Sequence, residues 1–155
     1  MNYSALKTLI TSDPDGLGFA PYINVSDAQI AAMFNDIAGP KAAQISLSSI
    51  GRGAFLKGVI PATDQLASGV DTGGTAIPST TAAKWQSRFN ALRSGDDVIQ
   101  IDAALQGLVG ELITDGLMIQ VQIDAFTKRV GSYAEVKFGQ DTVVTWQDIR
   151  KALGA

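Results

Sequence analysis

Apolar residues in this chain recur at intervals of three and four, and a Gly, Pro or Asp-Gly step cuts each run short. This pattern limits the fold more than any composition figure does. A side chain repeating near 3.6 residues lies along one face of a helix, and frequent breakers keep the helices short. Tyr3, Leu6 and Ile10 predict a helix over 3–11, ended by Asp13-Pro14-Asp15-Gly16. Ser26 and Gln29 form a capping box that opens a second helix, with Ile30, Met33, Phe34 and Ile37 as its core face and Gly39-Pro40 as its end. Leu47, Ile50, Ala54 and Phe55 predict a third helix over 47–59, weakened by Gly51, Gly53 and Gly58 and stopped by Pro61.

The second half is patterned more strongly. Ser79 or Thr80 caps a helix carrying Trp85, Phe89 and Leu92, which Gly95-Asp96-Asp97 breaks. Residues 101–114 hold the clearest stripe of the chain, Ile101, Leu105, Leu108 and Leu112 with Val109 and Ile113 alongside, before the Asp115-Gly116 turn. Trp85 and Phe89 are expected to face this stripe, because helices joined by a short turn pack antiparallel. Residues 118–129 fit a helix through Ile119, Ile123 and Phe126, and equally an alternating strand through Ile119, Val121, Ile123 and Ala125. The helix is preferred because no partner strand is evident. Ser132 with Glu135 caps a short helix that Gly139 ends, and Thr145 caps the last, whose buried face is Trp146, Ile149 and Leu153. The expected fold is all-α: one domain over 1–155 with seven or eight short helices and at most a minor hairpin. A chain of 155 residues is long enough to bury a real core.

One segment stands apart from this pattern. In residues 68–79, SGVDTGGTAIPS, only small or β-branched residues separate Gly69, Gly73, Gly74 and Pro78, which marks a long loop. Val70, Thr72, Thr75 and Ile77 make it a candidate interface, an extended run whose backbone could pair with a neighbouring chain. The alternative is that it folds back over its own helices.

The chain contains neither Cys nor His. Thiolate and Ser-His chemistry are therefore excluded, along with disulfides and the commonest zinc ligands. No cofactor or metal site is expected. Gly16-Leu17-Gly18 does not open a helix after a strand, so it reads as a glycine turn rather than a phosphate loop. Asp13-Pro14-Asp15-Gly16 lacks the later oxygen ligands of a calcium loop and reads as turn chemistry. Asp96, Asp97 and Asp102 are the only acidic cluster to weigh for acid–base work. Asp102 at a helix start has a sufficient structural role, since negative charge favours the positive helix end.

Charge and hydropathy narrow the partners. A net charge of -3 and a pI near 4.7 argue against a surface that coats nucleic acid. Residues 101–129 suggest a helix-turn-helix only superficially. Its DNA-facing side would need Lys84, Arg88, Lys128 and Arg129, with Gln120 and Gln122 beside Asp124. The charged fraction of 17% is below the roughly 25% usual for soluble domains. That fits either a surface of small polar residues or one partly buried against partner subunits. No stretch approaches the 18 or so apolar residues needed to cross a bilayer, and MNYSALKTLI is not a targeting segment. No membrane partner is expected.

With these residues laid out, the chain resembles a family of small tailed-bacteriophage structural-module proteins. The resemblance begins with Tyr3-Ser4-Ala5-Leu6-Lys7, Thr11-Ser12-Asp13-Pro14 and Gly18-Phe19-Ala20. It continues with the central pair Lys84-Trp85 and the hairpin Asp115-Gly116-Leu117. It ends in Ser132-Tyr133-Ala134-Glu135-Val136-Lys137-Phe138-Gly139, followed by Asp141-Thr142-Val143-Val144-Thr145-Trp146-Gln147-Asp148. These are caps, turns and hydrophobic steps, spread over most of the chain except the 40s and the glycine-rich loop. The resemblance implies a non-enzymatic virion protein of the neck, a head–tail connector adaptor forming a ring between portal and tail. Its partners would be copies of itself and the portal, neck or tail proteins, with DNA only passing through the channel. A tail-associated structural protein and a small helix-turn-helix regulator are the alternatives.

Overall fold

The computed structural model describes residues Met1–Gly154. In chain order the elements are α1 (Tyr3–Ser12), a 3-10 turn (Ala20–Tyr22), α2 (Asp27–Asn35), β1 (Ala43–Ser46), β2 (Ser49–Gly51), α3 (Arg52–Gly58), α4 (Ile60–Ser68), α5 (Ser79–Arg93), β3 (Val98–Gln100), α6 (Ala103–Thr114), α7 (Gln120–Thr127), β4 (Lys128–Gly131), α8 (Tyr133–Phe138) and α9 (Trp146–Leu153). The chain is mostly α, with β1 pairing β4 and β2 pairing β3 as two small ladders. Two compact units result, one built from Met1–Ile45 with the chain from Val130 onward, the other from Ser46–Arg129.

The first unit packs α1, α2, α8 and α9 around Leu6, Ile10, Phe19, Ile30, Phe34, Tyr133 and Ile149. Phe19 stacks on Phe34 with ring centroids 4.9 Å apart, and Phe34 meets Tyr133 at 5.2 Å. Offset aromatic pairs of this kind add to simple burial. Local chemistry fixes the helix starts: Asn2, Ser26, Ser132 and Thr145 each accept a backbone N–H of the first turn. Asn35 acts as a miniature strand partner. Its amide donates to the Val144 carbonyl at 2.7 Å and its oxygen accepts the Val144 N–H at 2.9 Å.

The second unit has its own core, in which Trp85, Phe55, Leu112 and Leu117 are fully buried beside Val59, Phe89 and Ile123. Strand β2 runs antiparallel to β3, with Ser49 opposite Gln100, Ile50 opposite Ile99 and Gly51 opposite Val98. Helices α3 and α7 approach so closely at Gly58 that a Cβ there would sit 2.3 Å from Phe126 Cγ. Trp85, Phe89, Leu105 and Leu112 share this core, as the stripe predicts, while Leu108 is only partly buried against it.

Several sequence expectations are corrected. The helix over 47–59 begins only at Arg52, because Ile50 lies in β2. Its i, i+3 spacing from Leu47 mimics a helical turn. Pro61 does not end the helical run but sits in the first turn of α4, where its missing N–H costs nothing. Among the described residues this raises the count of α-helices to nine. Asp102 caps α6, leaving Ile101 outside the helix, and Ile113 is exposed. Residues 118–129 divide between α7 and the start of β4. Ile37 follows α2 and is 65% exposed, and Trp146 is 45% exposed rather than core.

Candidate functional site

The motifs that carry the resemblance bond to one another within each unit. In the first unit, Asp13 has a left-handed backbone, φ 40°, and its carboxylate accepts the N–H groups of Leu17 and Gly18, each at 2.7 Å. Asp15 then accepts the Tyr133 hydroxyl at 2.6 Å and faces Lys137 at 2.8 Å, joining the turn after α1 to α8. Glu135, almost fully buried, accepts Ser132 N–H at 3.0 Å and Asp141 N–H at 2.9 Å. Asp148 accepts Thr145 N–H at 2.9 Å and the Tyr3 hydroxyl at 3.1 Å, joining α9 to α1.

These bonds set the ionisation. The Lys137 ammonium and then the Tyr133 hydroxyl hold the Asp15 carboxyl below its usual range. Burial, followed by the hydrogen bond to Asp15, pushes the Tyr133 phenol upward and keeps it protonated. The side chain and backbone of Thr145, and beyond them Tyr3, hold Asp148 low. Charges fixed in this way stabilise a scaffold. They do not supply a group poised to exchange a proton near neutrality.

The central motifs meet in the second unit. Trp85 donates its indole N–H to Asp115 at 2.6 Å, and Lys84 reaches the same oxygen at 2.5 Å. Glu111, one turn earlier on α6, pairs with Arg88 at 2.7 Å and Lys84 at 3.3 Å. The Arg88 guanidinium lies 4.8 Å from the Trp85 ring centroid. Burial pushes the Asp115 carboxyl up, but the Lys84 and Trp85 hydrogen bonds outweigh it and leave it lowered. The Arg88 and Lys84 contacts lower Glu111, and the Asp115 contact raises Lys84. Glu111 is the member that sequence reading misses, and Arg88 enters that reading only as part of a DNA-facing side. The available signal was spacing, since Lys84 and Arg88 on α5 match Glu111 on α6 and Asp115 at its C-terminal cap as i, i+4 pairs.

The remaining candidates fall into structural places. Asp97 pairs with Arg52 at 3.2 Å, and Asp102 accepts Leu105 N–H at 2.9 Å as the cap of α6, so Asp96, Asp97 and Asp102 do not converge on one point. Among the described residues no group of three or more His, Cys, Asp or Glu side chains is placed to hold a metal. Of the basic residues a DNA reader would need, Lys84 and Arg88 are engaged by α6 carboxylates and Lys128 pairs with Asp124 at 3.3 Å.

The glycine-rich loop closes on itself. Val70 bridges Ala76, and the Asp71 carboxylate accepts the N–H groups of Gly73 and Thr75. Thr72 N–H donates to the Gly116 carbonyl at 2.8 Å. Val70, Thr72 and Thr75 are exposed, while Ile77 packs against the core of the second unit.

What these sites define is a mostly helical chain whose polar clusters are structural joints. Among the described residues no helix is long and apolar enough to cross a membrane. Comparison with protein-family models, curated proteins and solved structures finds no match.

Proposed function

We propose that this chain is a bacteriophage virion structural protein, a neck or head–tail adaptor subunit that assembles as a ring between portal and tail. The observation that carries this reading is the pairing of its motifs. The segments that carry the resemblance to the phage family bond to one another, Asp15 to Tyr133 and Lys137, Tyr3 to Asp148, and Lys84-Trp85 to Asp115. Side-chain bonds that tie distant parts of the chain together suit a protein whose work is mechanical. A net charge of -3 suits a channel wall along which DNA slides, because it avoids the counterion release that makes basic surfaces hold DNA. A tail-associated position is the nearest variant. The regulator reading is weaker, because Lys84 and Arg88 spend their charge on Glu111 and Asp115.

Mass spectrometry of purified virions from the phage encoding this chain tests the proposal. The expected result is the intact protein at a copy number that is a multiple of six or twelve, as the symmetry of a portal–tail axis demands. Absence from mature particles overturns it.

A further inference from the structure

Asp15-Gly16 and Asp115-Gly116 are the two Asp-Gly steps of the sequence. Such a step is open to attack by its own backbone. Glycine has no Cβ to crowd its nitrogen, so that nitrogen can reach the side-chain carboxyl of the preceding aspartate. A bond forms from the Gly nitrogen to the Asp Cγ. The nitrogen gives up its proton and Cγ its hydroxyl, and the two leave as water. Water then reopens the five-membered succinimide at either carbonyl. Opening at Cγ restores aspartate. Opening at the main-chain carbonyl leaves isoaspartate, with the backbone rerouted through Cβ and Cγ and the mass unchanged.

We propose that both steps are latent isoaspartate sites, which the folded chain silences by holding the two reacting groups of each in hydrogen bonds. The units do this in the same way. Gly16 and Gly116 are left-handed, at φ 68° and 70°, and their N–H groups donate to the carbonyls of Asp13 and Ile113, each at 3.0 Å. The nucleophile is therefore occupied. On each carboxylate, Oδ2 accepts one aromatic donor and faces one ammonium. For Asp15 these are the Tyr133 hydroxyl at 2.6 Å and Lys137 at 2.8 Å. For Asp115 they are the Trp85 indole N–H at 2.6 Å and Lys84 at 2.5 Å. Both carboxyls ionise below their ordinary range, and a carboxylate is a poorer electrophile than the acid. The aromatic donors stand 118 and 30 positions away in sequence, so these bonds exist only in the folded chain.

The test ages three full-length chains at neutral pH, folded and in guanidinium chloride: wild type, the double variant Tyr133→Phe with Lys137→Met, and Lys84→Met. Trypsin then puts the two steps in separate peptides, residues 8–41 and 94–128. Electron-transfer fragmentation, which cleaves within the longer isoaspartyl backbone, measures conversion in each. Both steps of the folded wild type are expected to convert at least about tenfold more slowly than in denaturant, a ratio set by the cost of local opening. The double variant is expected to speed conversion at Asp15 alone and Lys84→Met at Asp115 alone, while in denaturant the three chains convert alike. If circular dichroism shows that the double variant is unfolded, Tyr133→Phe by itself takes its place. A folded wild type that converts as fast as the denatured chain, or a folded variant that gains nothing at its own step, overturns the proposal. Only residues of one chain take part, so the outcome is independent of whether the protein is found in virions.

Discussion

Tyr133 donates its phenolic hydrogen to Asp15 at 2.6 Å across 118 positions of sequence. The bond lies in the first unit, where Lys137 faces the same carboxylate. Asp15 and Asp148 both ionise below their ordinary value of 3.8. The unfolded chain therefore binds protons more readily than the folded one in that range. Stability from these groups is complete above the ordinary carboxylate range and is lost as the pH falls through the folded values. The melting temperature should drop below that range. Tyr133→Phe should lower it at neutral pH and flatten the acid slope, since one cause of the Asp15 shift is gone. An unchanged acid slope in calorimetry would show that the bond contributes nothing.

Burial separates two leucines on one helix. Leu112 is fully buried in the core of the second unit, whereas Leu108 is only partly buried beside it. Leu112→Ala should cost about 2–5 kcal/mol, and Leu108→Ala clearly less. Urea denaturation of the two variants measures this, and equal losses would misplace the core.

Two glycines should respond in opposite directions. Gly107 lies within α6 with open space around a would-be Cβ, so Gly107→Ala should stabilise by up to about 1 kcal/mol through helix propensity. Gly58 also lies in a helix, but its Cβ would meet Phe126 at 2.3 Å. Gly58→Ala should therefore destabilise by about 1–3 kcal/mol despite the same propensity gain. Thermal melts decide it, and a stabilised Gly58→Ala would show that α3 and α7 are not this close.

The loop after α4 can be removed without stretching the chain. Its ends already touch, because Ile77 N–H donates to the Gly69 carbonyl at 2.9 Å. Deletion of residues 70–76 should leave the protein folded by circular dichroism and, if the loop is an interface, exclude it from particles. Normal incorporation of the deletion variant would assign the loop no assembly role.

Asp71 should govern order inside that loop. Asp71→Ala removes the acceptor of the Gly73 and Thr75 N–H groups while leaving the core untouched. Hydrogen exchange at those two amides should accelerate with little change in melting temperature. Protection equal to wild type would mean that the loop's backbone bonds, the Val70–Ala76 bridge and the Thr72 bond to Gly116 among them, hold it without the Asp71 side chain.

Sequence determined what depends on neighbours a few positions apart. Ser26, Ser132 and Thr145 cap helices, and Asp13 and Gly16 turn the chain, because a cap or turn is decided by a side chain reaching backbone three or four residues away. The buried positions of α2, α5 and α6 follow from the same local periodicity. Tertiary structure alone decided the rest. A strand as short as β2 has no period to read, and it exists only because β3 lies opposite it. The bonds of Tyr133 to Asp15 and of Trp85 to Asp115 likewise have no local signature, since each partner has ordinary neighbours in sequence. Trp146 satisfies the apolar stripe of α9 but stays half exposed. Periodicity tells which face a residue shares, and only the packing of other helices decides how much of that face is covered.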